Sequence, residues 1–121
     1  MTIIHHITSK TDWHAALTTN SYAADSLASE GFIHCSTAQQ VVHTANRLFR
    51  GRADLVLLCI DTTKVNAGIR HENLAGGADL FPHIYGPLEI AAVVAVHDFQ
   101  PRADGSFEAP AAPSATITSA V

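Results

Sequence analysis

Six consecutive apolar residues, Leu55-Val56-Leu57-Leu58-Cys59-Ile60, set the first constraint on the fold. A near-continuous apolar run of this length reads as a strand buried on both faces. Such a strand has to be central in its sheet, and the rest of the chain has to cover it. With 121 residues, 47% hydrophobic and 15% charged, the chain is one domain's worth and can build a core of its own.

The cover can be traced along the sequence. Thr2 to Thr8 reads as a first strand through Ile3, Ile4 and Ile7. Ser9, Thr11 or Asp12 can cap a short helix whose stripe is Trp13, Ala16 and Leu17, ending near Asn20 and Ser21. Tyr22 to Ser26 gives no single assignment. Leu27 to Glu30 is one helical turn stopped by Gly31, a residue suited to the conformation just past a helix end. Phe32 to Cys35 is a short strand. Ser36 with Gln39, or Thr37 with Gln40, makes a capping box that opens a helix from Ala38 to Arg50. Its apolar face is Val41, Val42, Ala45, Leu48 and Phe49.

Beyond the central run, Asp61 to Thr63 turns the chain and Ile69 to Glu72 is a short strand. Asn73 to Leu80 holds Gly76-Gly77 and reads as a mobile loop that can act as a lid. Phe81 to Tyr85 is a strand in which Pro82 lacks a donor, so it is expected at an edge or beside a bulge. After the Gly86-Pro87 turn, Ala91 to Phe99 is the last predicted element. From Gln100 the composition turns to Pro, Ala, Ser, Gly and Thr, which buries too little apolar surface to offset ordering entropy. The expected organisation is therefore one α+β domain over residues 1–99 and a disordered tail over 100–121.

Charge and cysteine usage narrow the function. A net charge of −4, with eight histidines counted neutral, provides no basic patch for an extended nucleic acid. Cys35 and Cys59 lie in apolar runs and read as free buried thiols of a reducing compartment. No leader and no membrane-spanning run is evident, which gives a cytoplasmic expectation. Nothing in the sequence specifies an oligomeric state.

Chemistry is expected where polar groups interrupt apolar strands. His6, His34, Ser36, His83 and Tyr85 do so, and burying them is costly unless each finds a partner. Converging on one cleft, they can hydrogen-bond ribose, amide or phosphate groups, beside a helix N-terminus that attracts anions. The competing expectation is that each histidine satisfies a backbone carbonyl and that Ser36 only caps its helix. Cys35 adjoins His34, but strand neighbours point to opposite faces, so they should not form a nucleophile pair. His5, His6, His34 and His83 show no strong metal-ligand spacing, and no metal residues are assigned. Arg47 can reach a phosphate or remain solvated.

Three segments, His6-Ile7-Thr8, Gly31 to Thr37 and Phe81-Pro82-His83-Ile84-Tyr85-Gly86-Pro87-Leu88, resemble the domain-of-unknown-function family 952 over residues 3 to 99. The resemblance implies a fold similar to that of the ADP-ribosyltransferases: α+β, with mixed or antiparallel sheets, two or three short helices, and a cleft that holds NAD in active members. It implies that His6 and Thr8 help hold NAD or an ADP-ribose-like ligand, with Ile7 where glycine is usual, and that Ser36 or Tyr85 contributes to the same cleft. A late carboxylate, Glu72 or Glu89, is expected to orient the ribose, since cleavage of a glycosidic C–N bond passes through an oxocarbenium-like state. The assignments are thus His6, Glu72, His83 and Tyr85 for catalysis, and His6, Thr8, His34, Ser36 and Tyr85 for ligand contact. The ligand is a nucleotide or related phosphorylated small molecule, and the chemistry is ADP-ribosyl or related transfer. Two alternatives stand beside this reading: a non-catalytic module using the Gly76-Gly77 loop, and a metal-dependent hydrolase.

Overall fold

The computed structural model describes residues 2–73 and 79–110. In chain order the elements are β1 (Ile3–Ser9), α1 (Lys10–Thr19), β2 (Ser21–Tyr22), α2 (Asp25–Glu30), β3 (Ile33–His34), α3 (Val41–Leu48), β4 (Leu55–Asp61), β5 (Gly68–Glu72), β6 (Phe81–Tyr85), β7 (Leu88–Glu89) and β8 (Val93–Phe99). Short 3-10 turns occupy Thr62–Lys64 and Ile90–Ala92. The sheets are antiparallel, with strand orders β1-β4-β8, β2-β7 and β3-β6-β5. This is a small α+β domain with three helices, as expected at that level. Among the described residues no helix is long and apolar enough to cross a membrane.

The apolar run falls in β4, every residue of which is buried, and β4 is the middle strand of its sheet. Its two faces serve two cores. Val56, Leu58 and Ile60 join Ile4 of β1, and pack with Trp13, Tyr22, Ile33 and Ile84. Leu55 and Leu57 join Ile7 and pack with Val41 and Ala45 of α3, Phe99 and Phe107. Period-two alternation along β1 and β4 sorts these residues.

Local chemistry sets the helix ends. The Ser9 hydroxyl accepts from the Asp12 N–H at 3.0 Å and caps α1, while Gly31, at φ 89°, closes α2. Of the predicted α1 stripe, Trp13 and Ala16 are buried but Leu17 is exposed. The capping box is half made: the Thr37 N–H donates to Gln40 Oε1 at 3.0 Å. The regular helix α3 begins at Val41, not Ala38, after a turn, and the side chain of its N-cap residue, Gln40, makes no capping bond to the helix. Ser36 is not a cap, since its hydroxyl goes to Thr44.

Two expectations are corrected. Strand β6 is not an edge strand but lies between β3 and β5. Pro82 is tolerated there because the β3 ladder covers only His83 and Ile84, and what Pro82 offers beyond it is its carbonyl, which accepts from the Cys35 N–H at 3.0 Å. The domain also does not stop at Phe99. Phe107 is 1% exposed and stacks on Phe99 with ring centroids 4.8 Å apart. Asn46 of α3 grips its backbone at both groups, accepting from the Phe107 N–H at 2.6 Å and donating to its carbonyl at 3.4 Å. The Gly51 N–H donates to the Gly105 carbonyl at 2.9 Å. One large aromatic among small residues outweighed the composition around it. Residues 111–121 of the expected tail, and the Gly76-Gly77 loop, lie outside the described residues.

Removing this anchor should be expensive. Phe107→Ala is expected to lower the unfolding free energy by about 3–5 kcal/mol in urea titrations. A chain ending at Phe99 should lose at least as much, and wild-type stability in that shortened chain would show that the segment adds nothing.

Candidate functional site

A cleft of about 350 Å³ opens between β1, the 34–36 segment, α3 and the facing ends of β5 and β6. Five of the residues singled out by sequence border it: His6, His34, Ser36, Glu72 and His83. Thr8 and Tyr85 do not, though each bonds to a group that does or supports one. Thr44, Arg47 and Phe81 complete the walls most relevant to a polar ligand.

His6 is turned inward. It is 8% exposed, with Nδ1 2.5 Å from the His34 carbonyl and Nε2 2.7 Å from the Tyr22 hydroxyl. A carbonyl only accepts, so Nδ1 carries the proton and Nε2 is left as an acceptor. Tyr22 then donates its one proton to Nε2, and Thr8, with Oγ1 3.0 Å from the Tyr22 oxygen, supplies the next. Both ring nitrogens are spent inside the fold, and only the ring borders the cleft. Burial drives the His6 pKa down to about 4, partly opposed by the bond to the His34 carbonyl. The expectation that a histidine satisfies a backbone carbonyl describes His6. Tyr22, which completes the chain, came from the stretch the sequence left unassigned, and only packing of α1 and β2 against β1 brings it there.

Glu72, His83 and Tyr85 form a second group at the other wall. Cross-strand register pairs Glu72 with Phe81, and the side chain reaches along β6. Glu72 Oε1 accepts from the Tyr85 hydroxyl at 2.5 Å and from His83 Nδ1 at 2.9 Å. These two hydrogen bonds, Tyr85's first, hold the Glu72 carboxyl below its ordinary range, so it is ionised at neutral pH. The same contact pushes the Tyr85 phenol up. The His83 ring stacks on Phe32 at 4.2 Å and 22°, which fixes its plane, and Arg70 lies over the Tyr85 ring at 4.7 Å.

The remaining candidates separate. The His34 ring is exposed at the cleft margin and meets Glu30 at 3.1 Å. Glu89 does not border the cleft: Oε2 accepts from the Asn66 N–H at 3.0 Å and Oε1 is buried with no partner among the described residues. Cys35 is buried and its thiol pushed up by desolvation, which rules out an activated nucleophile beside His34. Cys59, 3.6 Å from His5 Nδ1, is raised to about 11 by burial. Among the described residues no three His, Cys, Asp or Glu side chains stand together as a metal site. Thr44 was missed, although its spacing of three from Arg47 places both on one helix face.

Comparison with known proteins gives a family and a fold. The family described as "Protein of unknown function (DUF952)" matches residues 7–96. The crystal structure of protein CC0527 from Caulobacter crescentus is similar at a TM-score of 0.80 and 34% identity, covering 88% of this chain and 94% of that one. The solution NMR structure of CC0527 gives 0.77 and 36%, covering 89% and 93%. No curated protein matches.

The inward histidine makes a pH prediction. Its folded pKa of about 4 lies below the ordinary value of 6.5, so between these values the unfolded chain binds the extra proton. The contribution is full above pH 6.5 and is lost as pH falls toward 4, with a limit of about 3 kcal/mol. Urea titrations between pH 7.5 and 4.5 should show a shallower loss for His6→Asn than for wild type. Parallel curves would remove His6 as the source.

Proposed function

The chain belongs to the DUF952 family, and because that description assigns no reaction, we propose a function from the cleft itself: it binds a phosphorylated small molecule of the nucleotide type, NAD or ADP-ribose-like. The observation that carries this reading is Glu72. Tyr85 and His83 hold one carboxylate oxygen, while Oε2 has no partner among the described residues and the side chain borders the cleft. An ionised carboxylate only accepts, so it calls for a ligand that presents donors, and the vicinal hydroxyls of a ribose supply them. Phe81 and Ile7 give the cleft an apolar wall for a base or amide ring.

A carboxylate in this position also supports transfer chemistry. When the glycosidic C–N bond of NAD breaks, the electron pair leaves with nicotinamide and positive charge develops on the ribose ring, where Glu72 can stabilise it until an acceptor adds. The kinship of the fold to the ADP-ribosyltransferases, an expectation from the sequence, is part of the same proposal. In it His6 and Thr8 keep a different role from the one first assigned: they brace the 34–36 segment from behind.

Thermal-shift titrations with NAD and ADP-ribose test the reading, because a ligand that binds only the folded chain stabilises it by about 2.7 kcal/mol at a hundredfold excess over Kd. Wild type should shift and Glu72→Gln should need at least about tenfold more ligand for the same shift. Nicotinamide release, measured separately, distinguishes turnover from binding. No shift with either ligand at millimolar concentration, or an equal one in Glu72→Gln, would sink the proposal.

A further inference from the structure

Resting on that reading, we infer that the phosphate end of the ligand is received by Ser36, Thr44 and Arg47, on the α3 side of the cleft. Three independent features meet there. Thr44 and Arg47 stand one turn apart on α3 and both border the cleft. The Arg47 side chain has no hydrogen-bond or ion-pair partner among the described residues. The other arginines are engaged: Arg50 with the Asp104 carbonyl, Arg52 with Asp54, Arg102 with Ser106 and Glu108, and Arg70 over the Tyr85 ring. Ser36 is 4% exposed, yet its hydroxyl makes one long bond, 3.4 Å to Thr44 Oγ1. A hydroxyl offers one donor and two acceptor positions, and a buried one this weakly used is a group waiting for a partner.

The chemistry of this set selects the ligand group. A guanidinium presents a planar fork of donors that matches phosphate oxygens, and two hydroxyls add rotatable donors beside it. Glu72, on the β5 wall, would repel an anion, so the cleft is polarised: donors at α3, an acceptor at β5. A ligand that fits has its phosphate and its sugar hydroxyls at opposite ends, as a nucleotide does. Arg47 is exposed and Val41 and Ala45 carry the packing of α3, so replacing Arg47 leaves the fold intact.

The test uses inorganic pyrophosphate, followed by phosphorus NMR, alongside ADP-ribose, on wild type, Arg47→Ala, Thr44→Val and Glu72→Gln. Wild type should bind pyrophosphate in a salt-sensitive manner. Arg47→Ala should weaken this by about tenfold or more, with Thr44→Val weaker by several-fold and unchanged melting of the free proteins. Glu72→Gln should leave pyrophosphate binding no weaker while losing ADP-ribose. Absence of pyrophosphate binding, or equal affinity in Arg47→Ala, overturns the subsite. If ADP-ribose binds in a Glu72-dependent but Arg47-independent way, the cleft's function stands and this inference falls. If pyrophosphate binding depends on Arg47 but ADP-ribose does not bind, the subsite stands and the nucleotide reading falls.

Discussion

The structure depends on one crossing of the chain, where β1 meets the segment that follows β3. His5 and Ser36 exchange both backbone hydrogen bonds at 2.8 Å, and next to them the His6 ring donates to the His34 carbonyl. These bonds fasten the β3-β6-β5 sheet to the β1-β4-β8 sheet. A buried imidazole is unfavourable unless both nitrogens are satisfied, and the arrangement Thr8, Tyr22, His6, His34 carbonyl satisfies them in one direction only. That directionality fixes the tautomer and the position of the strand end that forms the floor of the cleft.

The two-faced strand β4 supports both walls of the cleft. One core, through Ile33 and Ile84, supports β3 and β6, which carry His34 and His83; the other supports α3, which carries Thr44 and Arg47. Each wall therefore rests on its own buried surface, and both surfaces share the same central strand. The segment around Phe107 closes the second core and ties down α3 through Asn46 and Gly51. A site built this way keeps its acceptor group, Glu72, and its donor group, Arg47, on elements rather than on unsupported loops.

How far the sequence reached can be followed residue by residue. The apolar run at β4, the Ser9 cap, the Gly31 stop and the Thr37–Gln40 contact were legible because each is decided within a few residues of chain. His6, His34, Ser36, His83 and Tyr85 were legible as a group because polar residues in apolar strands must find partners, and the cleft gathers the first four; Glu72 entered only as one of two carboxylates that the family resemblance implied. What was not legible is how each would be used. His6 and Thr8 face Tyr22, a residue in a stretch with no periodic signal, and Tyr85 serves Glu72 from outside the cleft lining. The central place of β6 was hidden because Pro82 signals a missing donor but not whether a neighbour needs it there. The burial of Phe107 was hidden because composition averages over a window, whereas one ring packed on Phe99 is enough to order its segment.

By itself the sequence determined the class of domain, the central strand, the ends of α1, the stop of α2 and a set of polar residues that need partners, because periodicity and capping act over short separations. Tertiary structure alone decided which of those residues face inward and which face the cleft. The bonds that decide it, His6 to Tyr22, Glu72 to Tyr85 and Asn46 to Phe107, join residues 16, 13 and 61 positions apart, and no local preference encodes the packing that brings them within hydrogen-bond reach.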